Sequence, residues 1–152
     1  MTPLAITAFD LAQRYVGIRE FAGEKDHPLI RWWHSLCTIG EQPDEVPWCS
    51  SFANGMAWEL RLPRSKSALA RSWLEVGQRV ALEQAEVGFD VVILKRGQGN
   101  QPGPENTTAP GHVGFYAGHD DTFVELLGGN QGDSVSVARY PVSRILGIRR
   151  LL

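Results

Sequence analysis

The apolar residues of this chain change their spacing once, near its midpoint, and that change excludes most architectures. In the first half they recur at helical intervals. Phe9, Leu11, Ala12, Tyr15 and Val16 predict an amphipathic helix that gives out after Arg19-Glu20-Phe21, at Gly23. Asp26-His27-Pro28 opens a second short helix through Leu29, Ile30, Trp32 and Trp33, followed by a polar, turn-rich stretch over 40–47. Phe52, Met56 and Leu60 then share one face of a buried helix whose first turn carries Cys49 and which Pro63 ends; a further helical piece over 68–76 stops at Gly77. From there the pattern is that of strands. Residues 89–94 are β-rich, and 95–110 hold Gly97, Gly99, Pro102, Gly103, Pro104 and Pro110, which predicts a surface loop. Residues 112–118 and 122–127 read as a hairpin around His119-Asp120-Asp121, and 134–140 and 145–151 as two more strands. Helices first and an antiparallel sheet second is the α+β pattern.

With 152 residues, 43% of them hydrophobic, the chain has the material for one domain, 1–152. A net charge of −2 provides no basic field for nucleic acid. The most apolar run, Val91-Val92-Ile93-Leu94, is closed at once by Lys95, so no membrane insertion is expected. Met1-Thr2-Pro3-Leu4-Ala5-Ile6-Thr7 lacks a basic leader, which predicts synthesis in the cytoplasm without a secretory signal. His27 and His34 do not have the i, i+4 spacing of a helical zinc site, and there is no Cys-x-x-Cys or His-Glu-x-x-His; no metal and no cofactor are expected.

Of the two cysteines, Cys37 sits in a short apolar segment and reads as core, whereas Cys49 stands where a helix dipole stabilises a thiolate. An imidazole beside such a thiolate makes it a nucleophile, and a third polar group fixes the imidazole. His112, directly after Pro110-Gly111, and Asn130, directly after Gly128-Gly129, are the candidates. Hairpin register bears on the third group. If only His119-Asp120 turn, Gly118 faces Asp121 and Glu125 shares a sheet face with His112. If Asp121 also turns, Gly118 faces Thr122 and Asn130 comes onto the face of His112. Aspartate is a poor strand residue, which favours the second register and Asn130, with Glu125 as the alternative.

Pro47-Trp48-Cys49-Ser50-Ser51-Phe52, Gly88-Phe89-Asp90-Val91-Val92, Gly111-His112-Val113-Gly114-Phe115 and Leu127-Gly128-Gly129-Asn130-Gln131, in that order, resemble the blocks of the NlpC/P60 and CHAP cysteine peptidases that cut bacterial peptidoglycan. The resemblance is to their compact, phage-endolysin versions. It implies a papain-like α+β core in which the Cys49 helix packs on an antiparallel sheet carrying His112. It also implies Cys49 as nucleophile, His112 as general base and acid, and Asn130 orienting the ring. Trp48, Gln131 and Glu125 are the residues expected to contact substrate, with the loop over 97–110 helping to recognise it. The implied partner is peptidoglycan, met by a monomer with no separate wall-binding domain, in the periplasm or outside the cell. Another cysteine amidase or transferase, a secreted bacterial effector, or a non-catalytic wall-binding module are the alternatives. Arg144, Arg149 and Arg150 offer either a basic edge toward an anionic wall or an ordinary solvated strand edge.

Overall fold

The structure, a computed structural model, describes residues 1–22, 25–38 and 47–152. The expected stop at Gly23 and most of the turn-rich stretch before Pro47 lie outside the described residues. Helix α1 (Ala8–Gln13) opens on a capping box in which the Thr7 hydroxyl accepts the Asp10 N–H at 3.0 Å and the Asp10 carboxylate accepts the Thr7 N–H at 3.0 Å. It ends sooner than its periodicity predicts. Gly17 adopts φ +100°, its N–H reaches Val135 O, and the Val135 N–H returns to Ile18 O. Arg19 then forms a bridge with Ser134. Residues 17–20 are therefore held by extended pairing with 133–135, which ends the helix before its local spacing does and leaves Val16 half exposed in the turn.

Helix α2 (Pro28–Ser35) starts with proline at its first position and with the His27 ring accepting the Leu29 N–H at 3.1 Å. Helix α3 (Cys49–Glu59) is buried from Cys49 to Ala57, so its polar residues need internal partners. The Ser50 hydroxyl donates to Ser67 O at 2.6 Å and accepts the Trp73 indole N–H at 2.9 Å, while Asn54 Oδ1 accepts the Lys66 N–H at 2.8 Å. These bonds fix the start of α3 to the 65–67 segment and to Ala70–Glu75, the expected helical piece, which takes the 310 form.

Strands β1 (Gln78–Arg79), β2 (Asp90–Lys95), β3 (Gly111–His119), β4 (Phe123–Gly128), β5 (Ser136–Pro141) and β6 (Ile145–Arg150) form one antiparallel sheet in the order β1-β6-β2-β3-β4-β5. The fold is α+β, with the helix that carries Cys49 packed on the sheet. Val91, Ile93, Val113, Phe115 and Leu127 point to the helices; Val92, Leu94, Tyr116, Val124, Leu126 and Ile148 point to the other face, where Val80, Leu82 and Ala85 pack on them. The C-terminal arginines do not make a basic edge. Arg149 is buried with its Nε on Leu74 O at 2.9 Å, Arg150 pairs with Asp90 at 2.7 Å, and Arg144 bonds the carbonyls of Lys95 and Gly97. Trp33 and Trp73 are fully buried, whereas Trp58 is 49% exposed and meets Trp32 edge to face.

Neither hairpin register expected from the turn residues occurs. Tyr116 faces Leu126 and Phe115 faces Leu127, the ladder shifts between Tyr116 and Gly118, and Gly118 then faces Glu125. Asp120 drives this outcome. Its carboxylate accepts the N–H groups of Thr122 and Phe123 at 2.8 and 2.7 Å, which keeps Asp121 and Thr122 in the turn, and a bulge in β3 absorbs the extra residue.

Candidate active site

Cys49 is the first residue of α3, where backbone N–H groups have no partner within the helix and the dipole is positive. Its thiol lies beside the His112 ring and the Val113 N–H, both of which favour the thiolate. Burial pushes the thiol up, but the positive charge and hydrogen bond of His112, the Val113 N–H and the charge of Arg96 together hold it below the usual cysteine range. His112 moves the opposite way. Burial pushes its ring down, and the Cys49 thiolate, the bond to Cys49 and the bond to Gln131 together carry it above the usual histidine range. Both shifts act in the same sense and favour a thiolate–imidazolium pair at the junction of α3 and β3.

The side chain on the imidazole is Gln131, not Asn130. The Gln131 amide nitrogen donates to Leu126 O at 3.1 Å and to Ser136 O at 2.7 Å, and carbonyls only accept. Gln131 Oε1 must therefore face the ring, 2.9 Å from His112 Nε2, so that Nε2 carries a proton and donates it, leaving Nδ1 for Cys49. The Gln131 carbonyl accepts from the Ser134 and Ser136 hydroxyls at 3.0 Å each, which fixes its backbone as well. The even parity of the second register puts position 130 on the side of His112, but β4 ends at Gly128. The chain turns with Asn130 at φ +59°, and the longer Gln131 side chain folds back under the ring. Asn130 lines the cleft without a hydrogen bond to the imidazole. A Gly-Gly-Asn run is turn chemistry, and reading it as the end of the strand is the signal that points to the following residue.

The other two sequence candidates sit elsewhere. Glu125 shares a face with Leu127 and not with His112; its carboxylate is 4.0 Å from Arg139 and its side chain 47% exposed. Trp48 is fully buried, with its indole N–H on Glu20 at 2.8 Å and its ring stacked near Trp33. It is core, and it holds the turn that carries Gln131. A Cβ at Gly129 would stand 2.7 Å from two Trp48 ring atoms and 2.8 Å from Phe52 Cβ, neither of which is free to move. Gly129→Ala is therefore expected to cost about 1–3 kcal/mol by overpacking and to lower Tm by several degrees in a thermal melt. A melt identical to that of the parent would show that the close approach is not real.

Two residues not anticipated from the sequence complete the site. The Tyr140 hydroxyl lies 3.2 Å from His112 Nε2, and burial together with the nearby Cys49 charge pushes its phenol up to about 12, so it stays protonated. Arg71, fully buried, donates to Pro110 O at 3.0 Å, Gly103 O at 2.9 Å and Asn106 O at 3.0 Å, tying down the loop that leads into His112. Cys37 is buried among core residues with its Sγ 3.6 Å from the Ser51 hydroxyl, and burial pushes its thiol up. A cleft of about 320 Å³ opens against His112 and Gln131. Among the described residues no group of three or more His, Cys, Asp or Glu side chains is placed to hold a metal ion.

No family model matches the chain, and no curated protein matches it. Among solved structures, NlpC1 from Trichomonas vaginalis is similar at 13% identity with a TM-score of 0.48; the match covers 99% of this chain and 46% of that one, so the chain spans under half the length of that protein.

Proposed function

We propose that this chain hydrolyses an amide bond of bacterial peptidoglycan, in the stem peptide or between peptide and glycan, by a cysteine–histidine mechanism. The observation that carries the reading is the continuous line from Gln131 through His112 to the Cys49 thiol at a helix start. A thiolate so placed attacks the amide carbonyl, and free N–H groups in the first turn of α3 stabilise the oxyanion. The His112 imidazolium gives its Nδ1 proton to the leaving nitrogen, the C–N bond breaks, and the amine departs. His112, now neutral, takes a proton from water as the water oxygen attacks the thioester; the C–S bond breaks and the carboxylic acid leaves. Gln131 holds Nε2–H throughout, so the ring presents the same nitrogen in both steps.

The substrate class and the compact endolysin type rest on the sequence blocks around Cys49, His112 and Asn130. On that reading residues 1–152 form a single catalytic domain that acts as a monomer on the wall after release from the cytoplasm. The test is to incubate the protein with purified peptidoglycan and identify the fragments by mass spectrometry. New amine and carboxyl ends at one type of amide are expected; cuts only between sugars, or none, would overturn the proposal. Activity should persist in EDTA and vanish on alkylation with iodoacetamide. Loss in chelator that added zinc restores would replace the thiolate mechanism with a metal one.

A further inference from the structure

Arg79 on β1 and Arg149 on β6 are partners across the ladder, so their side chains leave the sheet on the same face, with Cβ atoms about 5 Å apart. Like charges set opposite each other weaken a strand pair unless a carboxylate stands between them. Among the described residues neither arginine has a carboxylate partner. Arg149 is also fixed in place. It is 8% exposed, its Nε donates to Leu74 O at 2.9 Å and its Nη1 to Ile148 O at 3.0 Å. Gly147 makes room for it, since a Cβ there would stand 2.8 Å from Nη1. The remaining nitrogen, Nη2, has no protein partner and is not sealed from solvent. Burial and the charge of Arg79 both press this guanidinium below the usual arginine range. An arginine nevertheless keeps its proton, so two opposed positive charges stand here uncompensated.

A groove of about 610 Å³ opens on this pair, between the β1–β6 edge and the loop at Pro104 and Thr107, and it shares no lining residue with the cleft at His112. The Thr107 side chain is half-buried there and makes no hydrogen bond with a described residue. Glu75 and Glu105 also line the groove, but both are exposed and neither pairs with either arginine. The donors select the anion. A planar carboxylate is held best by two parallel bonds from one guanidinium. Arg149 has already spent Nε and a bond of Nη1, which leaves Nη2 as its free nitrogen. A tetrahedral anion takes single bonds from several directions, and a dianion matches two charges. We infer that the groove binds a phosphate dianion, free or as a monoester, between Arg149 and Arg79. Its oxygens accept from Arg149 Nη2, the Arg79 guanidinium and the Thr107 hydroxyl. The occupant cancels the opposed charges and joins the sheet edge to the loop that Arg71 ties ahead of His112. The inference does not use the hydrolase reading, and its test measures no cleavage.

The test is calorimetric titration of the full chain with inorganic phosphate at about pH 8, where the anion is largely doubly charged, with ionic strength held constant by chloride. One site is expected, weakened about tenfold in Arg79→Gln and further in Arg79→Glu. Arg79 is exposed, so neither variant threatens the fold. Arg96→Gln removes a charge from the other cleft and should leave the affinity unchanged. Melting supplies a readout whose sign reverses. In chloride Arg79→Gln should melt at least as high as the parent, because the opposed charge is gone. With phosphate at about a hundredfold excess over its Kd the parent should rise by several degrees and overtake the variant. Phenyl phosphate identifies the source of the anion. Tighter binding than inorganic phosphate assigns the site to an ester whose carbon part rests on Val80 and Leu146, and equal or weaker binding assigns it to the free anion. Dimethyl phosphate, with a single charge, should bind about tenfold more weakly than inorganic phosphate. The site is overturned by no phosphate binding in the parent, by an affinity that ignores Arg79→Gln or is lost in Arg96→Gln, by the same order of melting in both buffers, or by a preference for dimethyl phosphate.

Discussion

Cys49→Ala should reduce release of peptidoglycan fragments by at least about 10⁴-fold, because no other group near His112 can form the acyl intermediate. The loss should come without loss of structure. Cys49 is only 4% exposed, alanine fits the same first helical turn, and the bonds that fix α3 run through Ser50 and Asn54 rather than the thiol. A thermal melt should stay within about 5 °C of the parent. Cys37→Ala, which removes a thiol that burial keeps protonated, should retain activity. Full lysis by folded Cys49→Ala protein would end the cysteine mechanism.

Gln131→Ala should lower kcat by about 10- to 100-fold and also change the shape of the pH profile. A thiolate–imidazolium mechanism needs Cys49 ionised and His112 protonated, so loss of the Cys49 charge sets the acid limb and loss of the His112 proton the alkaline limb, and the lowered Cys49 and raised His112 widen the window between them. Gln131 is one of the groups that raise His112. Without its acceptor the imidazolium gives up its proton at lower pH, and the alkaline limb moves down. Asn130→Ala should leave that limb in place, since Asn130 lines the cleft but makes no bond to the ring. If Asn130→Ala moves the limb and Gln131→Ala does not, the orienting role belongs to Asn130.

The α+β order, the Cys49 helix and the strand that opens on His112 are all legible in the sequence, because each is written in local period and in breakers such as Pro63 and Gly111. What misleads is tertiary in origin. Tyr15 and Val16 continue the helical spacing, but the chain just after them, 17–20, is drawn into pairing with 133–135, a partner that no local window contains. Trp48 beside a nucleophile suggests a cleft wall, yet its indole is consumed by Glu20 and the aromatic core. Strand alternation continued past Gly128 points to Asn130, one residue short of Gln131, because the backbone turns there instead. Hydrogen bonds that cross elements, such as those of Arg71 to the loop before His112, leave no periodic trace at all.

Strand order sets the timing of folding. β6, formed by Ile145–Arg150, lies between β1 and β2, so the last strand of the chain occupies the interior of the sheet. Until it arrives, one edge of β2 is unpaired, and Val92 on its outer face lacks the cover of Ile148, its partner across the ladder. Closing that gap requires a contact between distant parts of the chain, which carries a large loop-closure cost and makes for slow, late completion. On a ribosome, the helices and the β2-β3-β4-β5 meander are available before β6 emerges. The nascent protein therefore passes through a stage with an open, apolar strand edge, in which chaperone binding and edge-to-edge association compete with the final pairing.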